Sequence, residues 1–281
     1  MGYQIRVIDN LYTGQKENVP NNAEFILGDI RNISDLKNVL NDIECVIHLA
    51  AHVSVPESVK NPILDFDVNV KGTLLLLEEA RKQNVERFIF ASTAAIYGTT
   101  GKKIPETYEK KPKNPYGLNK LMGEEYCQQY SRLYGLKTTI LRYFNVYGPK
   151  KRGNAVDVFI RNALANKPLT INGEGIQFRD FVYVKDVVRA TIECLLSNRY
   201  GEIYNVGTGI ATKVIDLAKE IITATDTTSK IIFGPQRQGD IVGITADIKK
   251  INNDLSYAPQ YSIEEGLIET IKYYTELPAY K

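Results

Sequence analysis

Residues 3–8 form a short β-branched apolar run that ends at Asp9-Asn10 and the turn-prone Thr13-Gly14, which predicts a strand. A second run, Glu24-Phe25-Ile26-Leu27, stops at Gly28-Asp29, and residues 34–40 then show helical spacing with Ser34 as the expected N-cap. The alternation continues with a strand at 46–50, a long helical pattern over 61–84, a strand at 87–91, a helix from Asn114 to residue 134 and a strand at 136–144. Continuous apolar strands separated by helices predict a parallel sheet buried on both faces and joined by right-handed crossovers. Ligands of such sheets sit beyond the C-terminal strand ends, so the informative residues are those just after each run: Asp9, Asp29, Ala50-Ala51-His52 and Ser92-Thr93.

After Pro149 the texture changes to shorter elements and more turns. Helices are expected at 156–165, 185–197, 212–223 and 262–274, and strands at 169–173, 179–184 and 202–206. This predicts a first domain over 1–150 with 184–207 packing back onto it, and a second, smaller α/β domain over 151–183 and 208–281. No internal repeat and no low-complexity linker interrupts the chain.

Composition narrows the chemistry. In 281 residues, 35 Lys and Arg balance 33 Asp and Glu, without a basic block, so the footprint of a nucleic-acid binder is missing and a small partner is expected. The three cysteines, Cys45, Cys127 and Cys194, form no CxxC pair, which fits a reducing, cytoplasmic setting. With only His48 and His52 as histidines, a metal centre is not expected, and no run of about 18 apolar residues predicts a membrane span.

One constellation carries chemistry. In Asn114-Pro115-Tyr116-Gly117-Leu118-Asn119-Lys120, Asn114 can cap a helix and Pro115 can take its first position, which places Tyr116 and Lys120 four apart on one face. An ammonium near a phenol favours the phenolate, so this tyrosine is expected to serve as an acid/base group. The spacing alone is weak among 18 tyrosines, and Tyr12/Lys16 and Tyr147/Lys151 repeat it. Both of those contain a turn. Only Tyr116/Lys120 combines a capped helix with a hydroxyl pair, Ser92-Thr93, at a preceding strand end.

With these residues in place the chain resembles the extended short-chain dehydrogenase/reductases, specifically the NAD-dependent nucleotide-sugar epimerase/dehydratase family, and within it the UDP-glucose 4-epimerases. The resemblance rests on Val7-Ile8-Asp9-Asn10-Leu11, Gly28-Asp29-Ile30-Arg31, His48-Leu49-Ala50-Ala51 and Asn69-Val70-Lys71-Gly72-Thr73. It continues through Ser92-Thr93-Ala94-Ala95-Ile96-Tyr97-Gly98, Tyr116/Lys120, Arg142-Tyr143-Phe144-Asn145, Arg179-Asp180-Phe181 and Arg237-Gln238-Gly239-Asp240. It implies a doubly wound Rossmann-type sheet with a smaller substrate domain, and NAD as cofactor. Asp9 and Asn10 would meet the adenosine ribose, Asp29 and Ile30 would border the adenine, Leu49-Ala50-Ala51 would pass close to the cofactor, and Asn69 would support that loop. Lys120 would bind the nicotinamide ribose, Tyr116 would be the acid/base, and Thr93 would bind the sugar oxygen and relay its proton. Asn145, Arg179 and Arg237 would hold a diphosphate, which bidentate guanidinium contacts neutralise. Asp240 would meet the uridine ribose, and Leu169 and Ile171 would line the base pocket.

The resemblance further implies epimerisation of a UDP-sugar at C4 through a transient 4-keto sugar, without net redox change. Dehydratases of this kind carry an acid just after the serine or threonine; here Ala94 and Ala95 follow, which favours simple epimerisation. UDP-GlcNAc, UDP-glucuronate and a form that only binds nucleotide-sugar remain alternatives, with Ile244 at a position that influences acetylated sugars. A homodimer is implied through the long helices at 61–84 and 115–134. Gly207-Thr208-Gly209 follows a strand like a partial dinucleotide fingerprint, but its third glycine is absent and a plain turn is expected. The Gly-rich turn that the family uses for the NAD pyrophosphate has no match; it belongs ahead of Gly2, so the sheet is expected to lack its first strand and helix, the sequence reads as a fragment, and weak NAD binding by this chain is the corresponding expectation.

Overall fold

A computed structural model describes residues 2–98, 101, 103–235 and 242–277. The chain forms two compact units: the first contains Met1–Ile96, Pro112–Ile140 and Arg199–Glu202, and the second contains Tyr97–Lys111, Leu141–Asn198 and Ile203–Lys281. Residues 97–111, 141–150, 184–198 and 203–207, expected with the first domain, group with the second unit.

The first unit opens with β1 (Arg6–Asp9), β2 (Glu24–Leu27) and α1 (Ile33–Val39). β1 and β2 pair in parallel, Asp9 opposite Leu27, which brings Asp9 to the strand end. The cap of α1 is Asn32, whose side chain accepts the Ser34 N–H at 3.0 Å, in place of the expected Ser34. Next come β3 (Cys45–His48), α2 (Val55–Lys60) and α3 (Pro62–Phe66), a π-helical turn at Asp67–Gly72, α4 (Thr73–Lys82) and β4 (Arg87–Thr93). The helix expected over 61–84 is therefore broken by the π turn, a feature that often marks functional sites. β3 and β4 are parallel with His48 opposite Phe90.

A 3-10 turn (Ala94–Tyr97) and the short β5 (Lys103–Ile104) lead to α5 (Pro115–Tyr134) and β6 (Lys137–Tyr143). Asn114 caps α5 by accepting the Gly117 N–H at 2.8 Å, Pro115 occupies its first turn, and Gly135 closes it at φ +71°, the left-handed conformation that suits glycine. The sheet order is β1-β2 in one piece and β11-β6-β4-β3 in another, β11 being Glu202–Val206. The core of this unit includes the fully buried Leu36, Leu77, Phe88 and Phe90.

The second unit continues with β7 (Asn145–Tyr147), α6 (Ala155–Leu164), β8 (Leu169–Asn172), β9 (Phe178–Arg179), β10 (Phe181–Tyr183) and α7 (Val184–Leu196). After β11 come β12 (Thr212–Lys213), α8 (Val214–Ala224), β13 (Ile231–Gly234), β14 (Gly243–Ala246), α9 (Lys249–Leu255) and α10 (Ile263–Thr275). Here the strands form small separate sheets: β7 with β10, β8 with β13, and the order β12-β9-β14-β5. Helices α6, α8 and α10 bury Phe159, Ile160, Leu217, Ile221, Leu267 and Ile271 in one core with Leu169 and Ile171 of β8. Burying such side chains contributes about 1.5–3 kcal/mol each, which is what holds the short strands of this unit in place.

Candidate functional site

The N-terminal turn of α5 sits directly against β4 and the turn after it. A Cβ on Gly117 would come within 2.7 Å of the Ala95 carbonyl oxygen, and one on Gly123 within 2.6 Å of the Phe90 ring, so both approaches require glycine. This close packing sets Tyr116 beside the strand end. The Thr93 hydroxyl lies close enough to the Tyr116 phenol to favour its ionised form, and the Tyr116 backbone N–H donates to Ser58 Oγ at 3.2 Å. Ser58, fully buried in α2, donates in turn to the Val55 carbonyl at 2.8 Å.

Lys120, one turn further, is 2% exposed and holds its ammonium 4.2 Å from the centre of the Phe90 ring. Burial pushes Lys120 down to about 8, opposed by the negative charge that Cys127, Glu124 and Asp65 can carry. Burial also pushes the Tyr116 phenol up to about 12; the Thr93 hydroxyl pulls it down, and Asp65 adds to the rise. The sequence expectation that a nearby ammonium leaves Tyr116 with a lowered pKa does not describe the protein on its own. Removal from water dominates at both groups, leaving a protonated phenol and a buried ammonium at neutral pH.

Around this pair lies a buried polar network. Asp65, fully buried, accepts from Asn119 Nδ2 at 2.8 Å and from His52 Nδ1 at 2.9 Å. Asn69, in the π turn, holds the His52 backbone at both ends: its side chain accepts the His52 N–H and donates to the His52 carbonyl, each at 2.9 Å. The Asn69 carbonyl accepts the Thr73 hydroxyl at 2.8 Å, and Thr73 Oγ1 lies 2.9 Å from His48 Nε2. His48 is kept neutral, its pKa pushed down to about 3 by burial and by Lys120. Ser92 donates to the buried Glu124 at 2.5 Å. Asn69 therefore supports the turn after β3, the place where the sequence put Leu49, Ala50 and Ala51, and Leu49 is 61% exposed there.

The strand ends of β1 and β2 carry the remaining cofactor candidates. Asp9 accepts the Leu11 N–H at 2.7 Å, and Gly14 passes close enough that a Cβ there would meet the Asp9 carboxylate at 2.8 Å. Asn10 donates to Asp29 Oδ2 at 2.9 Å, and Arg31 grips Asp29 through Nε at 2.9 Å and Nη2 at 2.7 Å. The Arg31 guanidinium holds the Asp29 carboxyl far below the usual carboxylate range. Ile30 is 6% exposed and packs on Gly72, so a ligand at this position would meet main chain and the Asp29 edge instead of the Ile30 side chain.

In the second unit, Asn145 is exposed at the start of β7 and its backbone N–H donates to the Asp180 carbonyl at 2.9 Å. Arg179 is half-buried in β9, with Nη1 donating to the Phe178 carbonyl at 2.8 Å. Leu169 and Ile171 are 0% and 1% exposed and belong to the hydrophobic core, so their side chains do not line an open pocket. Strand alternation puts Thr170 and Asn172 on the other face of β8, outside that core. Ile244 is likewise buried, opposite Arg179 in β14. Arg237 and Asp240 lie outside the described residues.

Gly207-Thr208-Gly209 proves to be a turn closed on the protein itself. The buried Asp180 carboxylate accepts from Thr208 N at 2.7 Å, Thr208 Oγ1 at 2.7 Å, Gly209 N at 2.8 Å and Ala246 N at 3.0 Å. Burial raises the Asp180 pKa and these donors oppose it. Sequence reasoning passed over Ser58, Asp65, Asn119, Glu124 and Asp180. A usable signal existed in α5, where Asn119, Lys120, Gly123, Glu124 and Cys127 fall at helical spacing on one buried face.

The arrangement is an α/β fold that sets a tyrosine and a buried lysine, one helical turn apart on α5, beside a strand-end hydroxyl. The chain belongs to the NAD dependent epimerase/dehydratase family, whose model matches residues 1–207. It is 40% identical over 279 residues to a putative UDP-glucose 4-epimerase of Methanocaldococcus jannaschii, covering 96% of this chain and 90% of that one. Its fold matches the crystal structure of UDP-glucose 4-epimerase with UDP-glucose from Thermotoga maritima at a TM-score of 0.95 and 38% identity, covering 98% and 92% of the two chains. The Thermus thermophilus UDP-glucose 4-epimerase complex with NAD matches at a TM-score of 0.93 and 35% identity, with 98% and 92% covered. Other relatives are named as UDP-glucuronate 4-epimerases and dTDP-glucose 4,6-dehydratases, so the family and its NAD dependence are shared more widely than the sugar. The parallel α/β sheet expected from the strand pattern, and the Rossmann-type fold implied by the resemblance, are thus the fold of this family. The residues present fit the cofactor: a carboxylate at the end of β1, an open small-residue turn after β3 and a buried ammonium on α5. Among the described residues no helix is long and apolar enough to cross a membrane, and no His, Cys, Asp and Glu group could hold a metal ion.

Proposed function

We propose that the protein interconverts UDP-glucose and UDP-galactose by epimerisation at C4. The observation that carries this reading is the Tyr116 phenol near the Thr93 hydroxyl, one helical turn from the buried Lys120, with alanines at 94 and 95 where an eliminating enzyme would need an acid. NAD, when bound, supplies hydride acceptance and return and brings a positive charge to the site. Tyr116 takes the proton of the sugar 4-hydroxyl and gives it back, Thr93 orients that hydroxyl, and Lys120 holds the nicotinamide ribose while its charge favours the phenolate. Asp9 and Asn10, with Asp29, Ile30, Leu49, Ala50, Ala51 and Asn69, form the surroundings of the cofactor. Asn145, Arg179, Arg237 and Asp240 bind the diphosphate and ribose of the substrate, and Thr170 and Asn172 take the place first given to Leu169 and Ile171 beside the base.

The test supplies the protein with NAD and follows UDP-galactose, UDP-GlcNAc and UDP-galacturonate in parallel by NMR. Conversion of UDP-galactose is expected, with a loss of at least about a hundredfold in Tyr116→Phe, the order associated with a general acid/base. Turnover of only the acetylated or acidic sugar would move the substrate assignment, and full activity in Tyr116→Phe would end it.

The reading includes a homodimer in the cytoplasm. Val59, Ile63 and Phe66 on α2 and α3 are 62%, 77% and 45% exposed, and Leu118 and Met122 on α5 are 44% and 38% exposed, an apolar set too large for a solvated face. Sedimentation is expected to show a dimer for the protein and a monomer for Ile63→Asp/Leu118→Asp; a wild-type monomer at micromolar concentration would refute it.

A further inference from the structure

Asp65 joins α5, the helix that carries Tyr116 and Lys120, to the turn after β3. It lies in α3, wholly buried, immediately before the π turn. One oxygen accepts from Asn119, the residue preceding Lys120 on α5, and the other accepts from His52, the residue following Leu49-Ala50-Ala51. A carboxylate held by two donors away from solvent is a fixed charge, because moving it would leave Asn119 and His52 unsatisfied in the interior. Its negative charge favours the protonated form of both Tyr116 and Lys120, as a smaller contribution than burial in each case.

We propose that Asp65 is a positioning residue for the Tyr116–Lys120 pair: it ties α5 to the turn after β3 and places a fixed negative charge beside both groups. The proposal rests on the assignment of Tyr116 and Lys120 as the acid/base pair. The other groups facing them are Thr93 at Tyr116, and Glu124, Cys127 and the neutral His48 at Lys120. Asp65 is the only one of these that acts on both. A negative charge stabilises the Lys120 ammonium and disfavours the Tyr116 phenolate. Its removal must therefore lower the proton affinity of both, and shift the pH window of activity to lower pH as a whole instead of merely shrinking it. Asp65 is the smallest of the influences on either group, so the expected displacement is at most about one pH unit.

The test reads Lys120 directly in the full chain by carbon–nitrogen NMR of its side chain, assigned with Lys120→Met, beside the pH profile of UDP-galactose turnover. The wild-type midpoint is expected near 8. In Asp65→Asn it should fall, by at most about one pH unit, with a native circular dichroism spectrum, while Asp65→Glu restores most of the difference. Both limbs of the kcat profile should move the same way while KM for the UDP-sugar stays within about twofold. An unmoved Lys120 midpoint in folded Asp65→Asn overturns the proposal. Should that variant not fold, Asn119→Ala releases the carboxylate from α5 alone. The midpoint should then drop by a few tenths of a pH unit, and an unchanged midpoint overturns the proposal equally. A wild-type protein without turnover would refute the enzymatic assignment, and the Lys120 titration would still decide the role of Asp65.

Discussion

Lys120 holds an ammonium where the fold would prefer a neutral group. A midpoint near 8 against an unfolded value near 10.4 means that the folded chain carries this charge at neutral pH at a cost of about 3 kcal/mol. The sign follows from proton counting: between pH 8 and about 10 the unfolded state binds the proton and the folded state does not, so this contribution to stability rises with pH. Lys120→Met is accordingly expected to raise stability at pH 7 by about 1–3 kcal/mol while removing turnover. Chemical denaturation of both proteins checks this, and the gap between them should narrow on going from pH 7 to pH 10. His48 behaves in the same direction: neutral in the fold down to about 3, it lets acid favour the unfolded chain below about 6.5, where the free imidazole takes a proton.

At the scale of the element, α5 is the part that determines the site. Two of its glycines, Gly117 and Gly123, allow contact distances that a methyl group would forbid. Gly123→Ala is expected to improve helix propensity and nevertheless to destabilise the protein by about 1–3 kcal/mol, because the methyl meets the Phe90 ring under Lys120. A thermal melt together with kcat reads both effects; a more stable and fully active variant would contradict the packing argument. Much of this helix was legible beforehand. Asn114 and Pro115 announce its start and the pair Tyr116/Lys120 its chemistry, because capping and i,i+4 spacing are local. What could not be read was the π turn at Asp67–Gly72, whose interruption depends on Asn69 binding the backbone of His52, a partner 17 residues away. Nor could the fate of β8 be read: Leu169 and Ile171 look like a pocket lining in sequence, but only the helices α6, α8 and α10 decide which face of that strand is core.

For the molecule as a whole, the strand order of the first unit was the most legible feature, since buried parallel strands appear as uninterrupted apolar runs. Its sheet is found in two pieces, and among the described residues β1 pairs only with β2 and β3 only with β4. The second unit was less legible. β5, β13, β14 and α9 were not expected, because two- to four-residue strands and a polar seven-residue helix leave almost no periodic signal.

Asp180 gives the false fingerprint at Gly207-Thr208-Gly209 a meaning of its own. Main-chain amides turned toward one point form a receptor for an anion, and here the protein supplies that anion from its own chain. The turn is a lock already holding its key, so removing the carboxylate should uncover the receptor. In Asp180→Gly a loss of stability of several kcal/mol is expected, together with partial rescue by inorganic phosphate or sulfate that chloride at equal ionic strength does not give, measured as melting temperature against anion concentration. In the native chain the same occupancy has the opposite effect: the amides of this glycine turn already have their anion, so the turn does not act as a phosphate receptor.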